Sequence, residues 1–231
     1  NLGSLNTLGI TTIYVRGEGD CIETPGACTS IDILVAVPTI TDEPDPAIAC
    51  EGGMASFVVV ASGTGTLSYQ WQEDGIDLTN GGVYSGVDAA TLNISDVTGL
   101  NGKKFKVIIT DSDNPDCSTT SEEATLTVNP LPQVSTVSNM TYCSGDNVPQ
   151  ITFTSNVPGA TFAWERTAGD IGLASSGDGN IPSFEAVNNT PNPITVTISA
   201  VATFINNDVA CTGNPMQFTI TVNPKAEVEA G

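Results

Sequence analysis

Leu67-Ser68-Tyr69-Gln70-Trp71-Gln72-Glu73-Asp74-Gly75 alternates apolar and polar side chains up to a tryptophan and then meets an Asp-Gly pair. Alternation at every second position marks a strand with one face in a core. The habit runs through the chain. Ala55/Phe57/Val59/Ala61 precedes this row, and Phe105/Val107/Ile109 and Ala124/Leu126/Val128 follow it. Further on come Phe162/Trp164, Ile194/Val196/Ile198 and Phe218/Ile220/Val222. Between the rows lie turn-forming clusters such as Thr79-Asn80-Gly81-Gly82 and Asn188-Asn189-Thr190-Pro191. No stretch has the spacing of an amphipathic helix. Many short strands joined by turns predict an all-β fold of sandwiches.

The row around Trp71 also belongs to a repeat. Cys50-Glu51-Gly52 stands 21 residues before Trp71, and Cys143-Ser144-Gly145 stands 21 residues before Trp164. A second cysteine follows each first one at a nearly equal distance, at Cys117 and Cys211. The units close on Leu126-Thr127-Val128-Asn129-Pro130 and Ile220-Thr221-Val222-Asn223-Pro224. Self-similarity at this period signals consecutive modules of one architecture. The expected division is 38–130 for the first full module and 131–224 for the second. Residues 1–37, with Thr11–Val15 and Ile31–Val35 as strands, read as the last hairpin of a preceding module. Residues 225–231 read as a linker into a following one. A chain cut from a longer array also accounts for a start, Asn1-Leu2-Gly3-Ser4, without the features of a signal peptide.

Composition narrows the chemistry. The 231 residues carry 26 Asp+Glu against 6 Lys+Arg, a formal charge of -20, and no histidine. Phosphate binding draws on clustered Lys and Arg, so nucleic acid is not an expected partner. Anionic membrane surfaces are disfavoured on the same ground. Without histidine there is no Ser-His-Asp or Cys-His catalysis and no histidine-bound zinc. No run of 18 apolar residues is present, so the segment has no expected membrane span. Carboxylates are plentiful, but no pair has the apolar surround that glycoside hydrolysis requires. An enzyme is not expected.

Six cysteines in an acidic, strand-rich chain point to an oxidising compartment. The symmetry of the repeat makes Cys50–Cys117 and Cys143–Cys211 the economical pairing, with Cys21–Cys28 stapling the first hairpin. Cys50 precedes its strand and Cys117 follows its own. A pairing between them therefore requires the segment before the strand to fold back toward the last hairpin. The tryptophans, each two residues after Tyr69 or Phe162 on one strand face, are expected in the core rather than on a sugar-stacking surface.

Three stretches look like strands of bacterial Ig-like domains. They are Ser68 to Gly75, Thr91-Leu92-Asn93-Ile94, and Asn101-Gly102-Lys103-Lys104-Phe105-Lys106-Val107. Phe105 stands at the tyrosine-corner position, which implies that the hydroxyl hydrogen bond of that motif is missing. Residues 131–224 resemble the PKD-like domain of Bacteroidetes surface proteins, and residues 10–37 resemble the closing hairpin of a further Ig-like repeat. Such repeats occur in large cell-surface adhesins, including gliding-motility adhesins exported by the type IX system. The resemblance implies an extracellular or outer-surface location and a role as an adhesive stalk or filament. It also implies partners such as cell surfaces, polysaccharide or other filament subunits. Two other roles fit the same residues: an accessory module of a polysaccharide-degrading enzyme, or a fibre subunit completed by strand exchange.

The densest carboxylate cluster is Asp111-Ser112-Asp113-Asn114-Pro115-Asp116. Asp111, Asp113 and Asp116 form a candidate calcium site, with Asp42, Glu43 and Asp45 as further donors. Pro115 and Asp116 depart from the EF-hand pattern, and strands flank the stretch. The alternative is a solvated acidic loop with no cofactor. Lys103, Lys104 and Lys106 are expected to offset local carboxylates. Asn93, Asn139 and Asn188 each begin a glycosylation sequence.

Overall fold

The computed structural model describes residues 11–15, 29–33 and 37–225. Every regular element among them is a strand. The first are β1 (Thr11–Val15), β2 (Thr29–Ile33), β3 (Thr39–Asp42), β4 (Ala47–Cys50), β5 (Ala55–Val58) and β6 (Val60–Ser62). Next come β7 (Leu67–Glu73), β8 (Ile76–Asp77), β9 (Tyr84–Ser85), β10 (Thr91–Ile94), β11 (Lys104–Asp111), β12 (Asn114–Thr120) and β13 (Ala124–Asn129). The second repeat holds β14 (Met140–Cys143), β15 (Asn147–Val148), β16 (Thr161–Arg166) and β17 (Ser176–Asp178). It ends with β18 (Phe184–Glu185), β19 (Ile194–Asn206), β20 (Val209–Thr212) and β21 (Met216–Asn223). The contacts group into two compact units. One contains Asn1–Ala47 and Met54–Thr127; the other contains Ile48–Gly53 and Val128–Gly231.

In the first unit β1 and β2 pair antiparallel, Thr11 opposite Ile33, as a two-stranded sheet. The larger sheet runs β4-β13-β11-β7-β8, with β12 also on β11, and faces a sheet ordered β5-β10-β9. These are the C-F-G and B-E-D sheets of an immunoglobulin sandwich. The alternation read from the sequence fills the space between them. Phe57, Trp71, Leu92, Phe105, Val107, Ile109 and Leu126 are buried. Phe57 stacks on Phe105 with ring centroids 4.8 Å apart. The Trp71 indole N–H donates to the Ala89 carbonyl at 2.8 Å, so its one polar atom is satisfied inside the core. Phe105 is fully buried, and the nearby hydroxyl comes from Tyr84, which donates to Glu73. Asp74 and Gly75, at φ 48° and 83°, close the β7–β8 hairpin with the two left-handed residues of a type I′ turn.

The second unit has the sheet β14-β21-β19-β16-β17, with β20 on β19. β14 runs parallel to β21, Met140 opposite Ile220 and Cys143 opposite Asn223. The opposing layer is reduced to the short β15–β18 pair and an Ile151–Ile181 bridge. Pro149 and Pro158, which lack the donor that a ladder requires, bracket this region. Asn180 substitutes there, its Oδ1 accepting the Phe153 N–H at 2.9 Å. The core gathers Trp164, Phe153, Ile171, Ile181, Val196, Ile198, Phe218 and Ile220.

Candidate functional site

The cysteines depart from the symmetric pairing. Cys50 is bonded to Cys211, with Cα atoms 5.6 Å apart, and both belong to the second compact unit. Cys117 and Cys143 carry free thiols. Cys21 and Cys28, the expected staple of the first hairpin, lie outside the described residues.

The register explains why Cys143–Cys211 cannot form. Cys143 sits opposite Asn223, beyond the Val222–Ile194 pair at the start of β19. Cys211 sits opposite Phe204, ten residues further along the same strand. At about 3.4 Å per residue that separation is ~34 Å, whereas a disulfide needs Cα atoms within about 7 Å. The first repeat has the same layout. The Glu51 N–H donates to the Asn129 carbonyl at the far end of β13, while Cys117 adjoins Ser118, which faces Thr110 of β11. The expected fold-back of the Cys50 segment toward its own last hairpin does not occur, so Cys50–Cys117 is overturned as well.

Of Asp111, Asp113 and Asp116, the first is tied into the backbone around it. Asp111 is fully buried and accepts backbone N–H groups of Thr64 at 2.7 Å, Gly65 at 2.9 Å and Asp113 at 2.9 Å. The Asp113 and Gly65 N–H groups hold its carboxyl below the usual aspartate range, against the opposing pull of burial. A Cβ on Gly65 would stand 2.5 Å from an Asp111 oxygen, which is why a glycine is needed for this close approach. The carboxylate locks the turn before β7 onto the β11–β12 hairpin. Oxygens ringed by N–H dipoles make a poor seat for a cation, and among the described residues no three acids are gathered as metal ligands.

Other polar groups read from the sequence serve structure too. Lys103 pairs with Glu73 at 2.9 Å and Asp74 at 2.8 Å, and Lys104 with Glu123 at 2.9 Å. Asn188 is buried; its amide donates to Asn192 and Val222 carbonyls and its Oδ1 accepts from Thr190. That leaves no amide for a glycan at this position. Sequence reasoning missed Arg166, whose guanidinium donates to the carbonyls of Leu173, Ala174, Thr167 and Gly169 and so organises the loop after β16.

One concave feature was not foreseen. A cavity of about 300 Å³ opens over β16, floored by Ala163 and Val201 and edged by Glu165, Asp178, Ser176 and Ser199. Gly177 lines it beside Trp164, and a Cβ there would meet Trp164 Cζ2 at 2.6 Å. Trp164 is 4% exposed, and its indole N–H has no partner among the described residues, unlike that of Trp71. Both carboxylates in this groove are exposed.

No protein-family model matches the chain, and no curated protein matches it. Solved structures resemble it. An I-band fragment of titin, I67-I69, has a TM-score of 0.48 at 13% identity; the match covers 83% of this chain and 66% of that one. The Ig1 and Ig2 domains of DIP-gamma give 0.46 at 14%, covering 80% and 97%. Titin domains Z1Z2, solved in complex with telethonin, give 0.38 at 22%, covering 84% and 100%. These values are too low to carry an argument, and the Ig-like assignment rests on the strand order and cores described above.

Proposed function

We propose that this chain is a non-catalytic, load-bearing segment of a secreted or cell-surface repeat protein, an adhesive stalk or filament outside the cell. The observation that carries this reading is the Cys50–Cys211 bridge, which closes the chain across 161 positions. Tension entering before Cys50 and leaving after Cys211 crosses two sulfur atoms instead of the 160-odd residues between them. The residues between them, Trp71 and Trp164 included, lie off the line of pull, while β21 stays in it. Asn-Pro junctions stiffen the backbone between repeats, because proline fixes φ and restricts its neighbour. The charge of -20 keeps adjacent filaments apart and soluble. A disulfide of this kind persists in an oxidising compartment, which favours an extracellular location.

The resemblance to Bacteroidetes adhesin repeats supplies the kind of parent protein, and with it partners such as cell surfaces, polysaccharide or neighbouring subunits. The decisive test is mechanical. Held by its two ends under steady load, the chain gives up no contour length from residues 51–210 until a reductant is added. Release of that length without reductant would end the stalk reading.

A further inference from the structure

Among the described residues, the two free thiols are the complementary halves of the bridge already formed. Cys143 occupies the same turn as Cys50. Its carbonyl accepts the Asp146 N–H at 3.0 Å, as that of Cys50 accepts Gly53 at 2.8 Å. The next N–H donates to the asparagine of the closing Asn-Pro: Ser144 to Asn223, and Glu51 to Asn129, both at 2.9 Å. Gly145 and Gly52 both take positive φ, 98° and 73°. Cys117 matches Cys211 in turn. Each lies on the strand returning from the hairpin that ends the long central strand, near Asp111 in one repeat and opposite Phe204 in the other. In the bond that is present, the turn cysteine of one repeat joins the hairpin cysteine of the next. Among the described residues, what remains is one exposed turn cysteine, Cys143, and one half-buried hairpin cysteine, Cys117.

We propose that Cys143 is a bridging site for the hairpin cysteine of a further repeat of this kind, and that Cys117 of a second copy of this chain fills that role. Copies then join head to tail through Cys143–Cys117 bonds that reproduce Cys50–Cys211. The contact is heterologous and leaves one free half at each end, so it propagates as a line. The oxidant is a low-molecular-weight disulfide such as glutathione disulfide. The Cys143 thiolate attacks one of its sulfurs and expels a glutathione thiolate. The Cys117 thiolate of the second copy then attacks the Cys143 sulfur and expels the other half. Two protein thiols become one disulfide, and one glutathione disulfide becomes two glutathiones.

This inference rests on the repeat-array reading above, but the mechanical test there depends on Cys50–Cys211 alone, so the two can fail separately. The experiment incubates the full chain at high micromolar concentration with glutathione disulfide and resolves it by non-reducing electrophoresis and mass spectrometry of proteolytic peptides. The expected result is a ladder of multimers containing the Cys143–Cys117 peptide pair. Cys143→Ser and Cys117→Ser each remain monomeric alone, and an equimolar mixture stops at the dimer. The proposal is overturned if Cys50–Cys211 forms in the same digest while the chain stays monomeric. Linkage of Cys143 to Cys143, of Cys117 to Cys117, or of Cys117 to Cys21 or Cys28 of its own chain overturns it equally.

Discussion

Reducing one bond should unlock most of the molecule's length. Cys50 and Cys211 are separated by 161 residues in sequence and 5.6 Å in space. At up to ~3.6 Å per extended residue, the bridged segment holds about 580 Å of chain. Roughly 70 residues lie outside it, so a fully oxidised chain pulled from its ends can lengthen to only about 250 Å. Single-molecule force spectroscopy on one molecule, before and after addition of a reductant, reads the difference directly. The expected gain on reduction is about 570 Å of contour length, and Cys211→Ser should show it without reductant. The same closure acts on the unfolded chain at rest, at about 5 kcal/mol in the loop-entropy model. The reasoning fails if the chain extends well past 250 Å before any reductant is added, or if reduction adds no comparable length.

Three further outcomes follow from the packing. The carboxyl of Asp111 is held below its ordinary value of 3.8, so its contribution is complete above that pH and is lost as pH falls through the lower folded value; Asp111→Asn should therefore lower the urea midpoint at pH 7, with the deficit shrinking as the pH is taken progressively below 3.8. Gly177→Ala drives a methyl group into the Trp164 ring and should cost on the order of 1–3 kcal/mol by urea unfolding, with Trp164→Leu relieving part of the loss. Millimolar calcium should leave the melting temperature unchanged, because the Asp111 oxygens are occupied by N–H donors; a rise of several degrees, abolished in Asp111→Asn, would restore the calcium reading.

The strands were legible because a half-buried strand writes its exposure pattern at period two, and Phe57, Trp71, Phe105, Val107 and Ile109 are buried as that pattern requires. The spacing of Cys50 to Trp71 and of Cys143 to Trp164 correctly marked equivalent positions. Equivalence is not proximity, however. Symmetry could not reveal that the two cysteines of a repeat stand at opposite ends of its long strand, and only the register of Cys143 on Asn223 and Cys211 on Phe204 does so. The acidic stretch misled for a related reason. Carboxylates advertise themselves in a sequence, whereas the backbone N–H groups of Thr64, Gly65 and Asp113 that claim Asp111 are invisible there. The close approach of Gly177 to Trp164 beside the groove over Ala163 is equally unannounced by the sequence. Arg166 spends its charge on carbonyl groups, which no charge pattern announces.

The long sulfur-closed ring also changes what a cut can do. Exposed turns such as Asn80-Gly81-Gly82 offer a protease easy entry. A single nick anywhere between Glu51 and Ala210 opens the ring but leaves both fragments tethered through Cys50 and Cys211. A molecule built this way survives a first cut inside the ring in one piece, and then comes apart only when the bridge is reduced or a second cut falls.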